Sequence, residues 1–223
     1  LPIVQGYGLT ETSPIITANL TERVGSVGQV LPNIELKLSN DSELLVKGPS
    51  VFSGYANVSN DGVFTEDGFF KTGDCGRIDG EGYVYITGRK KELIVLSNGK
   101  NVAPNLVEAT VIRSKYINQV VVFGDNKKFL SALIVPDYDV VCQALGIVGT
   151  VEAASKNTQV QALIQQDISQ LSSGLSGYET IKKFVLIPKE FSIEGNELTP
   201  TLKLRRQEIN KKYQNDIQSM YDN

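Results

Sequence analysis

Near residue 90 the chain changes character, and that break constrains its fold more than any single segment does. Residues 1–88 carry 5 Lys and Arg against 11 Asp and Glu, a net charge of −6, whereas residues 89–223 carry 17 against 14, a net +3. Of the 20 glycines, 14 fall at or before Gly99. A glycine-punctuated acidic region followed by a glycine-poor basic one reads as two domains meeting near residue 90. With 223 residues and 41% hydrophobic side chains, the chain can bury a real core.

The first region reads as strands joined by tight turns. Val27–Leu31 and Ile34–Leu38 are short apolar runs split by Pro32-Asn33, and "ELLVKGP" (43–49) is a strand ending at Pro49. "RIDGEGYVYITG" has the form of a hairpin with Asp79-Gly80 at its turn. In the second region "ELIVLS" (92–97) is a buried-strand candidate, and "APNLVEATVIRSK" (103–115) fits a helix with Pro104 in its first turn. "INQVVVFGD" and "FLSALIVPD" are β-branched runs joined by Asn126-Lys127-Lys128, an expected antiparallel pair. Residues 158–172 read as a helix and "KKFVLIP" (182–188) as a strand. Ile209, Tyr213, Ile217 and Tyr221 form one helical stripe in the tail. The fold class expected is α+β.

Composition also removes chemistry. The chain contains no His, which excludes Ser-His-Asp hydrolysis, His-ligated metals and imidazole acid–base steps. Catalysis is left to Lys, Arg, carboxylates, hydroxyls and bound metal. Cys75 and Cys142 are isolated in sequence, which reads as reduced thiols in a cytoplasmic protein. No apolar run approaches the ~20 residues of a membrane span.

Taken singly, the polar motifs are bland. "GYGLTE" could be a glycine-rich turn with solvated Thr10 and Glu11, "KTGD" a turn in which Asp74 caps its own backbone, and "GRKKE" a solvated charge run. Their order changes this. "YGLTETSP" (7–14), "FFKTGD" (69–74), "GYVYITGRKKELI" (82–94), "NGKNVAP" (98–104) and "LTPTLKLRR" (198–206) together resemble the adenylate-forming superfamily. Its members are the acyl-CoA synthetases, firefly luciferases and peptide-synthetase adenylation domains. "NQVVVFGDNKKFLSALIVPD" and "LTPTLKLRR" are most similar to the long-chain fatty acyl-CoA synthetase branch. The resemblance runs from about Gln5 to Arg206.

This resemblance implies an enzyme that joins a fatty acid to AMP using ATP and Mg²⁺, then passes the acyl group to coenzyme A. It implies that Gly6 and Gly8 let the backbone approach the adenylate, that Tyr7 offers a face to adenine, and that Thr10 binds phosphate. Glu11 would hold Mg²⁺, Asp74 would accept the ribose hydroxyls, and Arg89 would support the same ribose. Lys203 would reach the reacting carboxylate and α-phosphate, Lys91 would lie at a hinge, and Lys100 would face the CoA channel. A surface role for Lys203, among Arg205 and Arg206 at a helix start, is the bland alternative.

Residues 1–88 are then expected to be the β-rich C-terminal portion of a large AMP-binding domain, residues 88–91 a hinge, and residues 92–223 a small α+β domain. The chain departs from the family at Phe69-Phe70-Lys71, where Tyr or Trp is frequent, and at Leu202, where glycine is common. The family's phosphate loop precedes the "YGLTE" element. The chain is therefore expected to be the second part of a larger enzyme, inactive alone. The implied partners are fatty acid, ATP and CoA, with no nucleic acid. The implied location is cytoplasmic, with peripheral membrane association left open. An aryl-CoA ligase or peptide-synthetase domain is a second reading, and a non-catalytic module keeping the fold a third.

Overall fold

Glycine and Asp-Gly turns fold the first region into a set of short strands laid side by side. The computed structural model describes residues 3–21 and 23–222, and the α+β chain divides between Glu92 and Leu93 into two units. In the first, β1 (Gln5–Tyr7), β2 (Thr17–Asn19), β3 (Gly28–Val30), β4 (Glu35–Leu38), β5 (Glu43–Lys47), β6 (Phe70–Ile78) and β7 (Tyr83–Arg89) form one sheet. Its order is β1-β2-β3-β7-β6-β5-β4, with every neighbour antiparallel. The two apolar runs flanking Pro32-Asn33 therefore do not pair, because β7, β6 and β5 separate β3 from β4. Val27, Leu44 and Val84 form the buried centre, with Tyr7, Val30, Leu36, Ile78 and Ile86 packed on them.

The hairpin between β6 and β7 matters most for the site. At its turn the Asp79 carboxylate accepts hydrogen bonds from the Glu81 and Tyr83 N–H groups (3.0 and 2.9 Å). The residue with left-handed backbone is Gly82 (φ 82°), not Gly80. At the open end, the register sets Asp74 opposite Arg89.

The second unit begins with a small hairpin, β8 (Ile94–Val95) and β9 (Asn101–Val102). The long buried strand expected over 92–97 is thus only two residues. The Leu96 N–H already closes on the Lys100 carbonyl (2.9 Å), and Gly99 takes φ 78°. α1 (Pro104–Val111) then leads to β10 (Ile117–Phe123) and β11 (Leu130–Pro136), antiparallel as expected. The chain returns through α2 (Tyr138–Leu145), α3 (Val151–Ser155) and α4 (Thr158–Leu171) to β12 (Ile181–Leu186), which lies parallel to β11. A parallel neighbour needs such a crossover.

Helix α2 was not legible as apolar periodicity, but its ends are marked. Asp137 caps the first turn by accepting from the Val140 N–H (3.1 Å), and Gly146 closes it with φ 65°.

Both faces of this three-stranded sheet are covered. On one, Val120, Val122, Ala132 and Ile134 pack with Val107 and Val111 of α1 and with Val160, Ile164 and Ile168 of α4. On the other, Val121, Phe123, Leu133 and Val135 pack with Ile209, Ile217 and Met220 from the tail. The strict alternation between the two clusters is the period-2 geometry of strands, and cover on both sides explains why Val120–Phe123 and Ala132–Val135 are apolar without interruption.

The tail does not form the single helix its stripe suggests. It breaks at Tyr213 into α5 (Arg206–Lys212) and α6 (Gln214–Ser219). The Tyr213 hydroxyl is held 3.0 Å from the Glu197 carboxylate, a tertiary contact that periodicity does not contain.

One ion pair locks α5 to this core. Buried Glu108 of α1 receives both terminal nitrogens of Arg206 (2.7 and 3.0 Å) and the Val122 N–H (2.8 Å). Arg206 also donates to the Val122 carbonyl (2.7 Å). Glu108→Ala would strand a guanidinium and a strand N–H, a loss of about 3 kcal/mol expected for breaking a buried pair. Urea denaturation of residues 93–223 should show that loss; a change below about 0.5 kcal/mol would show that the pair behaves like an idle surface bridge.

Candidate active site

In the first unit the residues singled out from sequence meet at the open end of the β6–β7 hairpin. Asp74 is only 4% exposed. Its Oδ2 accepts the Tyr7 hydroxyl (2.7 Å), and its Oδ1 pairs with Arg89 Nε (3.0 Å). Burial, then the neighbouring Asp74 carboxylate, push the Tyr7 phenol well above its usual pKa. Each Asp74 oxygen holds one donor and keeps a second lone pair for a hydroxyl of a ligand. Tyr7, expected as a face for adenine, is thus also the residue that orients Asp74.

The chain after Tyr7 turns back on itself. The Ile16 N–H donates to the Tyr7 carbonyl (2.9 Å), and a Cβ at Gly8 would run into the Pro14 carbonyl. Glycine is therefore required at position 8 by the loop's own closure. At Gly6 an added Cβ would come to 3.0 Å from the Thr17 carbonyl, a tight contact. Residues Thr10–Thr12 form one 3-10 turn, tied by the Thr12 hydroxyl, which accepts from the Leu9 N–H and donates to the Leu9 carbonyl (both 2.9 Å). The turn presents Thr10, exposed and with no side-chain partner among the described residues, beside Glu11. Glu11 Oε1 accepts the Tyr55 hydroxyl (2.8 Å), and the Glu11 carbonyl accepts the Phe52 N–H (2.9 Å). Hydrogen bonding to that carboxylate raises the Tyr55 pKa.

Two further residues, not foreseen, support this end of the sheet. Buried Glu43 accepts from the Gly73 N–H through Oε1 (3.0 Å) and from Lys90 Nζ through Oε2 (2.8 Å). Asp41 also holds Lys90 (2.6 Å). Asp41, then Glu43, raise the pKa of the Lys90 ammonium above its ordinary value. Lys91 follows, exposed, in the 3-10 turn Lys90–Glu92. The only sequence signal for this cluster was the acidic pattern of "DSELL".

The remaining expected residues belong to the second unit. Lys100 is exposed in the β8–β9 turn, its N–H donating to Asn98 Oδ1 (3.0 Å) and its ammonium 5.7 Å from the centre of the Tyr178 ring. Lys203 lies on a small hairpin where Leu198 bridges Leu204. Its N–H donates to Thr199 Oγ1 (3.0 Å) and its carbonyl accepts the Thr199 N–H (2.8 Å), while Leu202 takes φ 60°. The three clustered cations differ sharply. Arg206 is spent on Glu108 and Arg205 donates to the Asn196 side-chain oxygen, whereas the Lys203 ammonium has no partner among the described residues.

In the first unit, a buried carboxylate that keeps lone pairs for hydroxyls suits a ligand that carries a pair of them, such as the ribose of a nucleotide. The sequence pattern of the AMP-binding enzyme C-terminal domain matches residues 91–223, and that of the AMP-binding enzyme matches residues 1–56. The chain belongs to the AMP-binding enzyme family.

A long-chain-fatty-acid–CoA ligase, FadD15 of Mycobacterium bovis, is 38% identical over 100% of this chain and 38% of its own length. The human long-chain-fatty-acid–CoA ligase ACSBG1 is 32% identical over 97% of this chain and 34% of its own. The chain thus spans little more than a third of the curated relatives it matches.

Among solved structures, the A-PCP didomain of carboxylic acid reductase from Segniliparus rugosus, in complex with AMP, covers 100% of this chain and 31% of its own at TM-score 0.78 and 23% identity, a likeness of fold. O-succinylbenzoate coenzyme A synthetase from Bacillus subtilis, in complex with AMP, covers 92% of this chain and 40% of its own at TM-score 0.67 and 27% identity.

Glu43→Ala would leave the Gly73 N–H without its acceptor and release Lys90. We expect a loss of about 1–3 kcal/mol, the cost of a buried donor left unmatched. Lys90→Met should cost less, because its side chain is 44% exposed and water can replace it. Thermal melts of the two variants should rank in that order; a Glu43→Ala melt indistinguishable from the parent's would show that Glu43 is idle.

Proposed function

We propose that this chain is the C-terminal part of an ATP-dependent long-chain fatty acid–CoA ligase. The observation that carries the reading is the end-to-end match, at 38% identity, to a ligase of that kind. In the first half-reaction a fatty acid carboxylate attacks the α-phosphorus of ATP and pyrophosphate leaves. In the second the thiol of coenzyme A attacks the acyl carbonyl and AMP leaves. Both anions in the first step repel, so the protein's task is neutralisation and positioning.

Asp74 and Arg89 are assigned to the ribose, with Tyr7 orienting Asp74 and bordering adenine, and Gly6 and Gly8 shaping the loop. Thr10 is assigned to phosphate. Glu11 fits a magnesium site: one Oε is engaged by Tyr55 and the other has no hydrogen-bond partner among the described residues. Among the described residues no cluster of three acidic, Cys or His ligands exists. A single carboxylate suits an ion shared with substrate phosphates and water.

Lys203 is assigned to the reacting carboxylate and α-phosphate. Its free ammonium on a four-carbon stem supports a charge that arrives for one half-reaction and leaves for the other. Residues 88–91 are assigned to the hinge, with Lys91 following the anchored Lys90, and Lys100 to the CoA path. The free thiols of Cys75 and Cys142 support a cytoplasmic location. Peripheral membrane association belongs to the same proposal; no described helix is long and apolar enough to cross a membrane. The likeness to O-succinylbenzoate coenzyme A synthetase favours an aryl acid as the second substrate reading, and a panel of fatty and aryl acids separates the two.

In a ligase that contains this chain, Lys203→Ala should slow fatty-acid-dependent pyrophosphate release by about 10²-fold or more, the scale of losing one transition-state donor. Thioester formation from supplied acyl-adenylate should be spared. Equal loss in both half-reactions would make Lys203 structural.

A further inference from the structure

Beneath the exposed tip that carries Lys203 lies a carboxylate to which the proposed reaction assigns no task. Glu197 is 2% exposed. Its Oε2 accepts from the Ser192 N–H (3.0 Å), while its Oε1 accepts from Lys212 Nζ (2.7 Å) and the Tyr213 hydroxyl (3.0 Å). Its backbone is engaged as well: its N–H donates to the Ser192 carbonyl (3.0 Å) and its carbonyl accepts from the Arg205 N–H (2.8 Å). At Gly195 a Cβ would collide with the Glu197 carboxylate, so the loop makes room for this group where any other residue would obstruct it.

Burial opposes the charge, but Lys212, the Ser192 N–H and Tyr213 together outweigh it and leave the Glu197 carboxyl below its usual pKa. It is an anion throughout the neutral range. Burial and this anion push the Tyr213 phenol up to about 12, so the donor stays protonated there.

Glu197 thus joins three places: the start of the loop at Ser192, its return at Arg205, and the α5–α6 junction at Lys212 and Tyr213. That junction is itself fixed, because Ile209 and Ile217 on either side are buried against the sheet. From this frame we infer that Glu197 is a positioning residue for Lys203, fixing the base of the hairpin so that the ammonium is delivered to one place during adenylation. The inference rests on the function proposed above. A long, unpartnered side chain contributes little orientation of its own, and a shift of about 1 Å at a catalytic group costs on the order of 10²-fold in rate.

The test uses a ligase that contains this chain, with Glu197→Gln, Glu197→Ala, Lys212→Met and Lys203→Ala assayed in both half-reactions. Glu197→Gln keeps an acceptor for the Ser192 N–H but removes the charge; it should slow pyrophosphate release by about tenfold, and Glu197→Ala by about 10²-fold. Lys212→Met breaks the same contact from its exposed side and should give a smaller loss in the same direction. Thioester formation from supplied acyl-adenylate should stay within about twofold for all of them, since a displaced Lys203 affects only the step it serves.

Trypsin cleavage after Lys203 should also be faster in Glu197→Ala, reporting a loosened hairpin without reference to activity. Losses shared equally by both half-reactions would overturn the inference. So would an unchanged adenylation rate in the Glu197 variants while Lys203→Ala abolishes it; the function would then stand. If Lys203→Ala itself spares adenylation, the role assigned to Lys203 fails and this inference with it, while the ligase reading, carried by the sequence match, stands. Should Glu197→Ala fold poorly, Glu197→Gln and Lys212→Met carry the decision.

Discussion

A carboxylate taken out of water must be met by donors, because the charge otherwise costs several kcal/mol to bury. Among the described residues four buried carboxylates meet that demand, and each thereby decides where a segment lies. Asp74 takes Tyr7 and Arg89. Glu43 takes the Gly73 N–H and Lys90. Glu108 takes Arg206 and the Val122 N–H. Glu197 takes Lys212, Tyr213 and the Ser192 N–H. Glu43, Glu108 and Glu197 each combine a cation from another segment with a backbone N–H of a turn or strand, whereas Asp74 takes two side chains. Hydrophobic clustering builds the sheet and helix layers, but it is non-directional. The directional bonds of these carboxylates set the loops.

The division of labour has a chemical consequence. Recognition of a neutral hydroxyl pair suits a carboxylate held rigidly, as Asp74 is by a phenol and a guanidinium. Neutralising charge that develops during one step suits a cation that is held loosely. In the function proposed above that cation is Lys203, whose ammonium has no partner among the described residues, whereas Arg205 and Arg206 are bound to Asn196 and Glu108. An ammonium on a flexible stem can approach and withdraw without changing its protonation.

What could be read from the residues alone has a clear physical limit. β10 and β11 were legible because β-branched residues in continuous apolar runs suit strands covered on both faces. The β6–β7 hairpin was legible from Asp-Gly turn chemistry, and the helix expected over 158–172 is found at Thr158–Leu171. The strand expected over 92–97 was cut to Ile94–Val95 by an Asn-Gly turn that follows at once. The tail stripe kept its faces but not its continuity, because Tyr213 is bound to Glu197. Likewise, Gly8 was read for a ligand, while the structure shows that closure of its own loop already requires glycine there.

The sequence by itself determined the two-part organisation, the strands and helices whose side-chain periods match their burial, and the short motifs that name the family. These rest on neighbours within a few residues, where backbone preference and facial pattern are written directly into residue order. The tertiary structure alone decided which charges are spent and which are free. Asp74 finds Tyr7 67 residues away, Glu43 finds Lys90 47 away, and Glu108 finds Arg206 98 away. No local pattern contains such pairings, because they are chosen by the desolvation cost of a buried charge, and that cost exists only once the chain has folded around it.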